Sequence, residues 1–132
     1  MKSLEELKEY FEGDRYAIEN GAEILSVSET GAKCAMALSS HHRNARGAVM
    51  GGAIFTLADF AFAVAANAAG IPTVTLTSEI HYLAAAKGDR LYATAHCIRS
   101  GKSACHYRVT VTDEEEREVA ELLVSGFKLQ QS

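Results

Sequence analysis

Residues 44–70 read NARGAVMGGAIFTLADFAFAVAANAAG. From Gly51 onward the run is almost continuously apolar and rich in alanine. Gly70, with Pro72 two residues on, marks where a helix must stop. Apolar residues occupy nearly every side of that helix, so other structure has to wrap it rather than let it lie on a surface. Between Gly47 and Ser78 the sole charged side chain is Asp59. A lone carboxylate in such a setting is costly unless it is paired, hydrogen-bonded or protonated. Asp59 is therefore the first candidate for chemistry. The alternative is a buried aspartate bonded to a neighbouring hydroxyl or amide, holding helix to sheet.

The flanking sequence supplies the wrapping. Upstream, Ser3 and Glu6 have the S-x-x-E spacing of a capping box. That predicts a short helix from Leu4, with Leu4, Leu7, Tyr10 and Phe11 on its apolar face and Gly13 at its end. Residues 22–28 and 32–39 read as strands joined by a turn at Glu29-Thr30-Gly31, and 40–50 reads as a loop. Downstream, four strands are predicted at about 73–83, 90–99, 103–112 and 117–129, with turns between them. In 103–112, Cys105, Tyr107, Val109 and Val111 alternate with His106, Arg108, Thr110 and Thr112, the period of a strand with one buried face. The order is helix, two strands, long buried helix, four strands. It fits an α+β fold, a curved antiparallel sheet wrapped around one helix, in a single domain over residues 1–132. A lone sheet of this kind leaves exposed edges, which oligomerisation would cover.

Composition narrows the function. The 132 residues are enough for a real core, and 48% hydrophobic with 23% charged residues argues against disorder. A formal net charge of −4 speaks against a broad nucleic-acid surface. Cys34, Cys97 and Cys105 are odd in number and lack CxxC spacing, so they read as free thiols of a reducing, cytoplasmic setting. The N-terminal MKSLEELKEYFE is amphipathic and acidic, without a signal-peptide core. Residues 51–69 have the length of a membrane span, but a charge at its centre costs roughly 2.5–3.5 kcal/mol, so no membrane role is expected.

Two features join Asp59 as candidates for chemistry. Gly51-Gly52 opens the helix, where the first N–H groups lack internal partners and the dipole is positive, a natural site for an oxyanion. Asn44 precedes Gly51 by seven residues and can offer a side-chain amide to the same oxygen, or simply form an Asx-turn. Asp59 follows Gly51 by eight residues, about 12 Å along a helix axis. One substrate carbonyl needs donors within about 3 Å of its oxygen and a base or nucleophile close to its carbon. If Gly51 and Asp59 both act, the site lies between two subunits. Further along, Arg99-Ser100-Gly101-Lys102 is a basic tight turn, and Arg43 and Arg46 add charge, all suited to phosphates or to plain solvation. His41-His42 has no metal-ligand spacing, His81, His96 and His106 fall on strands, and DEEER at 113–117 reads as a solvated hairpin end. No G-x-S-x-G, Walker or Rossmann motif is present.

The stretch N-A-R-G-A-V-M-G-G-A-I-F-T-L-A-D-F-A-F-A-V-A-A-N resembles the signature of hotdog-fold acyl-CoA thioesterases of the PaaI-like, phenylacetic-acid-degradation type. G-D-R-L-Y-A-T-A from Gly88 and the Arg99–Lys102 turn resemble the family too. The resemblance implies a cofactor-free hydrolase that cleaves acyl-CoA without a metal. In it Asp59 is the base or nucleophile, Gly51 the oxyanion donor and Asn44 the amide that places carbonyl or water. Gly52, Met50, Arg99, Gly101 and Lys102 would bind substrate, the basic turn meeting the coenzyme A phosphates. It also implies a homo-oligomer, a dimer of dimers. Two positions depart from the pattern: Met50 stands where the family usually has His, and Ala84-Ala85 where it often has Arg-Pro. They leave open a non-hydrolytic hotdog protein that binds acyl-CoA or assembles with partners. The Asp-x-Asn-Pro-x-His pattern of hotdog hydratases is missing.

Overall fold

The computed structural model describes residues 1–129. The chain runs α1 (Leu4–Phe11), α2 (Arg15–Glu19), β1 (Ala22–Ser28), β2 (Gly31–Ala37), a 3-10 turn (Ser40–His42), α3 (Gly51–Asn67), then β3 (Thr73–Tyr82), β4 (Arg90–Ser100), β5 (Ala104–Asp113) and β6 (Glu118–Lys128). The strands form one sheet in the order β1-β2-β4-β5-β6-β3, every neighbouring pair antiparallel. Register slips at Ile24/Ser26, Thr75/Thr77, Cys97/Arg99 and Val111/Thr112 add twist and bend, so the sheet curls. This is the hotdog fold: one long helix held in the hollow of a curved sheet.

The helix is held by burial on several faces. Ile54, Leu57, Ala58, Phe60, Ala61, Phe62 and Val64 of α3 are all buried. They face chiefly β2 and β4, whose Cys34, Met36, Leu91 and Ala93 are buried in turn. Each fully buried large side chain contributes roughly 1.5–3 kcal/mol. The alanines let the strands approach the helix. Phe62 meets the Tyr107 ring edge-on, centroids 5.4 Å apart. Close packing also explains a glycine in mid-strand: a Cβ on Gly126 would lie 2.9 Å from Phe62 Cζ and 3.0 Å from Cys105 Sγ.

The capping box of α1 forms as the spacing predicts, Ser3 Oγ accepting from the Glu6 amide. Leu7 and Phe11 are buried, but Tyr10 points outward. Three further features differ from the sequence reading. A second helix, α2, lies between Gly13 and Gly21. With five residues it is too short to show a period. Asp113 is not solvated; it is 1% exposed. Its carboxylate accepts from the amides of Lys87, Glu115 and Arg117, and ties down the hairpin around it. Burial pushes its carboxyl up, but those amides and the Arg117 side chain together hold it below the usual carboxylate range. Finally, β3 does not alternate. As the edge beyond β6 it leaves both faces uncovered, with Val74 44%, Leu76 59% and Tyr82 52% exposed.

Candidate active site

One stripe of α3 escapes the sheet. Gly52, Phe55, Thr56 and Asp59 recur at helical spacing along it, and α2 stands over its far end. Between them lies a cavity of about 430 Å³, with Tyr16, Ala17, Phe55 and Phe60 as its apolar walls and Asp14, Arg15, Thr56 and Asp59 as polar groups. A smaller hollow of about 120 Å³ shares Tyr16 and Thr56 and reaches Met50, Gly52 and Ala53. The two follow the helix from its first turn to Asp59.

Asp59 is half-buried. Burial pushes its carboxyl above the usual carboxylate range, and the charge of Asp14 pushes the same way; no hydrogen bond offsets either. Among the described residues no hydrogen bond to the Asp59 carboxylate ties helix to sheet.

At the helix start Met50 is the N-cap and supplies no side-chain cap. Its N–H donates to the His42 carbonyl (2.9 Å), and its own carbonyl accepts from Ala53 and Ile54. The Gly51 and Gly52 amides are thus the first-turn donors that the helix itself does not use. The two glycines differ in surroundings. A Cβ on Gly52 would meet nothing within 4 Å. One on Gly51 would lie 3.0 Å from Tyr82 Cζ, and the Tyr82 hydroxyl donates to the Gly51 carbonyl at 3.1 Å. A side chain at position 51 would press on the Tyr82 ring, so packing against β3 by itself favours glycine there.

The preceding loop is rigidly built. Asn44 Oδ1 accepts from the amides of Arg46 (3.0 Å) and Ala48 (3.1 Å), an Asx-type turn that leaves Nδ2 outside these contacts. Arg43 is occupied by the Gly47 and Gly88 carbonyls and by Asp89, whereas Arg46 is exposed. Sequence reasoning passed over His42. Buried, it accepts at Nδ1 from the Ser39 amide (3.0 Å) and donates from Nε2 to the Asn20 carbonyl (2.6 Å), which fixes its tautomer. Its carbonyl in turn anchors Met50. Nothing in the sequence separates this histidine from its exposed neighbour His41.

Arg99, Gly101 and Lys102 stand elsewhere in the same chain. Their turn borders Ala65, Ala66, Ala68 and Ala69 at the C-terminal end of α3, and Lys128 Nζ braces it by donating to Ser100 Oγ and the Gly101 carbonyl (both 2.6 Å). The 17 residues of α3, about 25 Å, separate it from Gly51. The cysteines are free; burial pushes the Cys34 thiol up to about 12 and raises Cys105 as well, so neither is a thiolate nucleophile near neutrality. Among the described residues no cluster of His, Cys, Asp or Glu is arranged to hold a metal, and no helix is long and apolar enough to cross a membrane.

The helix-start amides, the perturbed Asp59 carboxylate and an aromatic-walled cavity thus lie along one helix. The chain belongs to the thioesterase superfamily, whose profile matches residues 46–120. Within that superfamily it is PaaI-like. It is 32% identical over 111 residues to the acyl-coenzyme A thioesterase PaaI of Escherichia coli K12, covering 83% of this chain and 79% of that protein. The structure of the E. coli PaaI protein, from the phenylacetic acid degradation operon, matches with a TM-score of 0.85 at 27% identity over 98% of this chain and 99% of that one. Human acyl-coenzyme A thioesterase 13 is 32% identical over 94 residues, 69% of this chain and 67% of that protein. A hypothetical thioesterase of Streptococcus pneumoniae, solved with coenzyme A, matches with a TM-score of 0.83 at 26% identity over 92% and 98% of the two chains. The chain is thus an enzyme, a thioester hydrolase, which favours hydrolysis over the non-hydrolytic alternative.

Proposed function

We propose that this protein hydrolyses acyl-CoA thioesters to coenzyme A and a carboxylic acid, with Asp59 as the general base or nucleophile. The observation that carries the reading is Asp59 itself: a half-buried carboxylate with a raised pKa and no hydrogen bond, opening on an aromatic-walled cavity. In the general-base route Asp59 takes a proton from water as the water oxygen attacks the thioester carbon. The tetrahedral oxyanion is held by the Gly51 N–H. Collapse expels the CoA thiolate, which receives the proton. In the nucleophilic route the Asp59 carboxylate attacks the carbon and expels the CoA thiolate; water then cleaves the mixed anhydride, releasing the acid, regenerating Asp59 and supplying the thiolate's proton. A raised pKa makes the Asp59 carboxylate a stronger base.

The site is shared between subunits. Two observations support this: the separation of about 12 Å between Gly51 and Asp59 in one chain, and the uncovered β3 edge, which carries Tyr82 against Gly51. A second copy added along β3 would bring another α3 toward Gly51 and close the exposed edge. Asn44 Nδ2 then places carbonyl or water, Gly52 and Met50 shape the entrance, and Arg99, Gly101 and Lys102 meet the CoA phosphates from another subunit. The assembly is a homotetramer, a dimer of dimers, working in the cytoplasm without a cofactor. The relatives named for acyl-coenzyme A and the neighbour solved with coenzyme A support the substrate class.

The test is turnover of a CoA-thioester panel by wild type and Asp59→Asn. The variant keeps size and fold and loses the base, so kcat falls by about 10²–10⁴. Parental turnover by Asp59→Asn would make that residue structural.

A further inference from the structure

Asp14 is a second carboxylate at the cavity of Asp59, and the fold has no use for it. It occupies the N-cap position of α2, where aspartate ordinarily accepts a backbone N–H, yet its side chain makes no capping bond. Its carboxyl borders the same 430 Å³ cavity as Asp59, across from Phe55 and Phe60. The neighbouring cation does not cancel it: Arg15 Nε donates to Glu19 Oε2 at 3.1 Å, an ion pair exposed on both sides. Asp14, Arg15, Glu19 and Asp59 together carry a net charge of −2 when ionised. Arg15 also borders the cavity, but its charge is shared with Glu19; Tyr16, Ala17, Phe55 and Phe60 are apolar, so the lining keeps a net negative charge against a second anion. The charge of Asp14 is also felt within the cavity, since it helps raise the Asp59 carboxyl.

We propose that Asp14 is a specificity-determining residue that turns the acyl cavity into a charge filter, admitting uncharged acyl groups and rejecting those that end in a carboxylate. The inference rests on the thioesterase reading and on placing the acyl group in this cavity. Every acyl-CoA carries the same coenzyme charges, so a comparison of two substrates differing only in the acyl terminus isolates this effect from the −4 net charge of the chain.

The experiment compares kcat/KM for glutaryl-CoA and for its uncharged half-amide, which has the same shape. Wild type prefers the half-amide by about tenfold or more. The preference shrinks between low salt and about 0.5 M salt. In Asp14→Asn the ratio falls by about fivefold, the influence of one charge at several ångströms in a half-screened site. Asp14→Glu, which keeps the charge, retains the preference. Equal turnover of the two substrates by wild type, or a ratio unmoved in Asp14→Asn, overturns the filter. Loss of the hydrolase reading looks different: wild type would then turn over neither substrate nor any member of the neutral panel.

Discussion

Proline at Gly51 isolates the oxyanion donor from everything else the residue does. Gly51 is the first residue of α3, where the N–H has no helical partner and proline is well tolerated. Met50 sits at φ −67° and ψ 141°, a conformation that a following proline accepts. Gly51→Pro therefore deletes one N–H and leaves the helix in place. It also adds a Cβ 3.0 Å from Tyr82 Cζ, so the ring must give by a few tenths of an ångström. Gly51→Ala adds the same Cβ and keeps the N–H, and so measures the crowding of Tyr82 by that Cβ. A small displacement beside the site costs the alanine variant less than about tenfold. Loss of one oxyanion donor costs the proline variant about 10²–10³ in kcat, or roughly 2.7–4 kcal/mol. The assay is release of the CoA thiol under saturating substrate, with thermal unfolding run in parallel to show that both variants fold. Equal activity of the proline and alanine variants would refute the assignment, because the N–H would then be doing nothing for the transition state.

Asp113→Ala removes the acceptor for three backbone amides and is expected to lower stability by about 3 kcal/mol, read as a fall in Tm of about 10 °C. The folded-state pKa of Asp113 lies below its unfolded value, so its contribution is present above the unfolded carboxylate range and disappears as pH falls through the folded one; the gap between wild type and variant narrows in acid. Replacing Arg99 and Lys102 by Ala raises KM for CoA thioesters more than it lowers kcat, because remote charges bind ground and transition states alike. The same loss on an N-acetylcysteamine thioester, which has no phosphates, would remove that turn from the binding site.

The buried helix was legible because α3 is long, apolar and bounded by a glycine pair and by Gly70-Ile71-Pro72. The strands were legible where one face is buried: in β5 the alternation of Tyr107, Val109 and Val111 with Arg108 and Thr110 is the alternation of burial. Asp59 stood out because nothing else in its helix is charged. The helix α2 left no such trace, since five residues carry no period, yet it forms one wall of the cavity. Asp113 lay hidden in a run of acidic residues that composition alone reads as solvated. Only the fold directs one member of that run inward, onto three amides. Glycine at position 51 had two meanings in sequence, a ligand approach and tight packing. The structure supplies the second through Tyr82, and the first is what the proline variant tests.

The shared site is the central claim, and mixed oligomers test it most directly. An Asp59→Asn chain retains a good Gly51, and a Gly51→Pro chain retains a good Asp59. Each homo-oligomer is nearly inactive. In a hybrid pair one site receives both good halves and the other receives neither. Random mixing places about half the pairs in hybrid form with one working site each, so about a quarter of wild-type activity returns. Co-expression with two distinguishable tags, sequential purification and cross-linking across the pair yields verified hybrid pairs, in which one site of two works and about half of wild-type activity is expected. Recovery of activity in them is the predicted result; verified hybrids as inactive as the two parents would place Gly51 and Asp59 in separate roles and contradict the composite site.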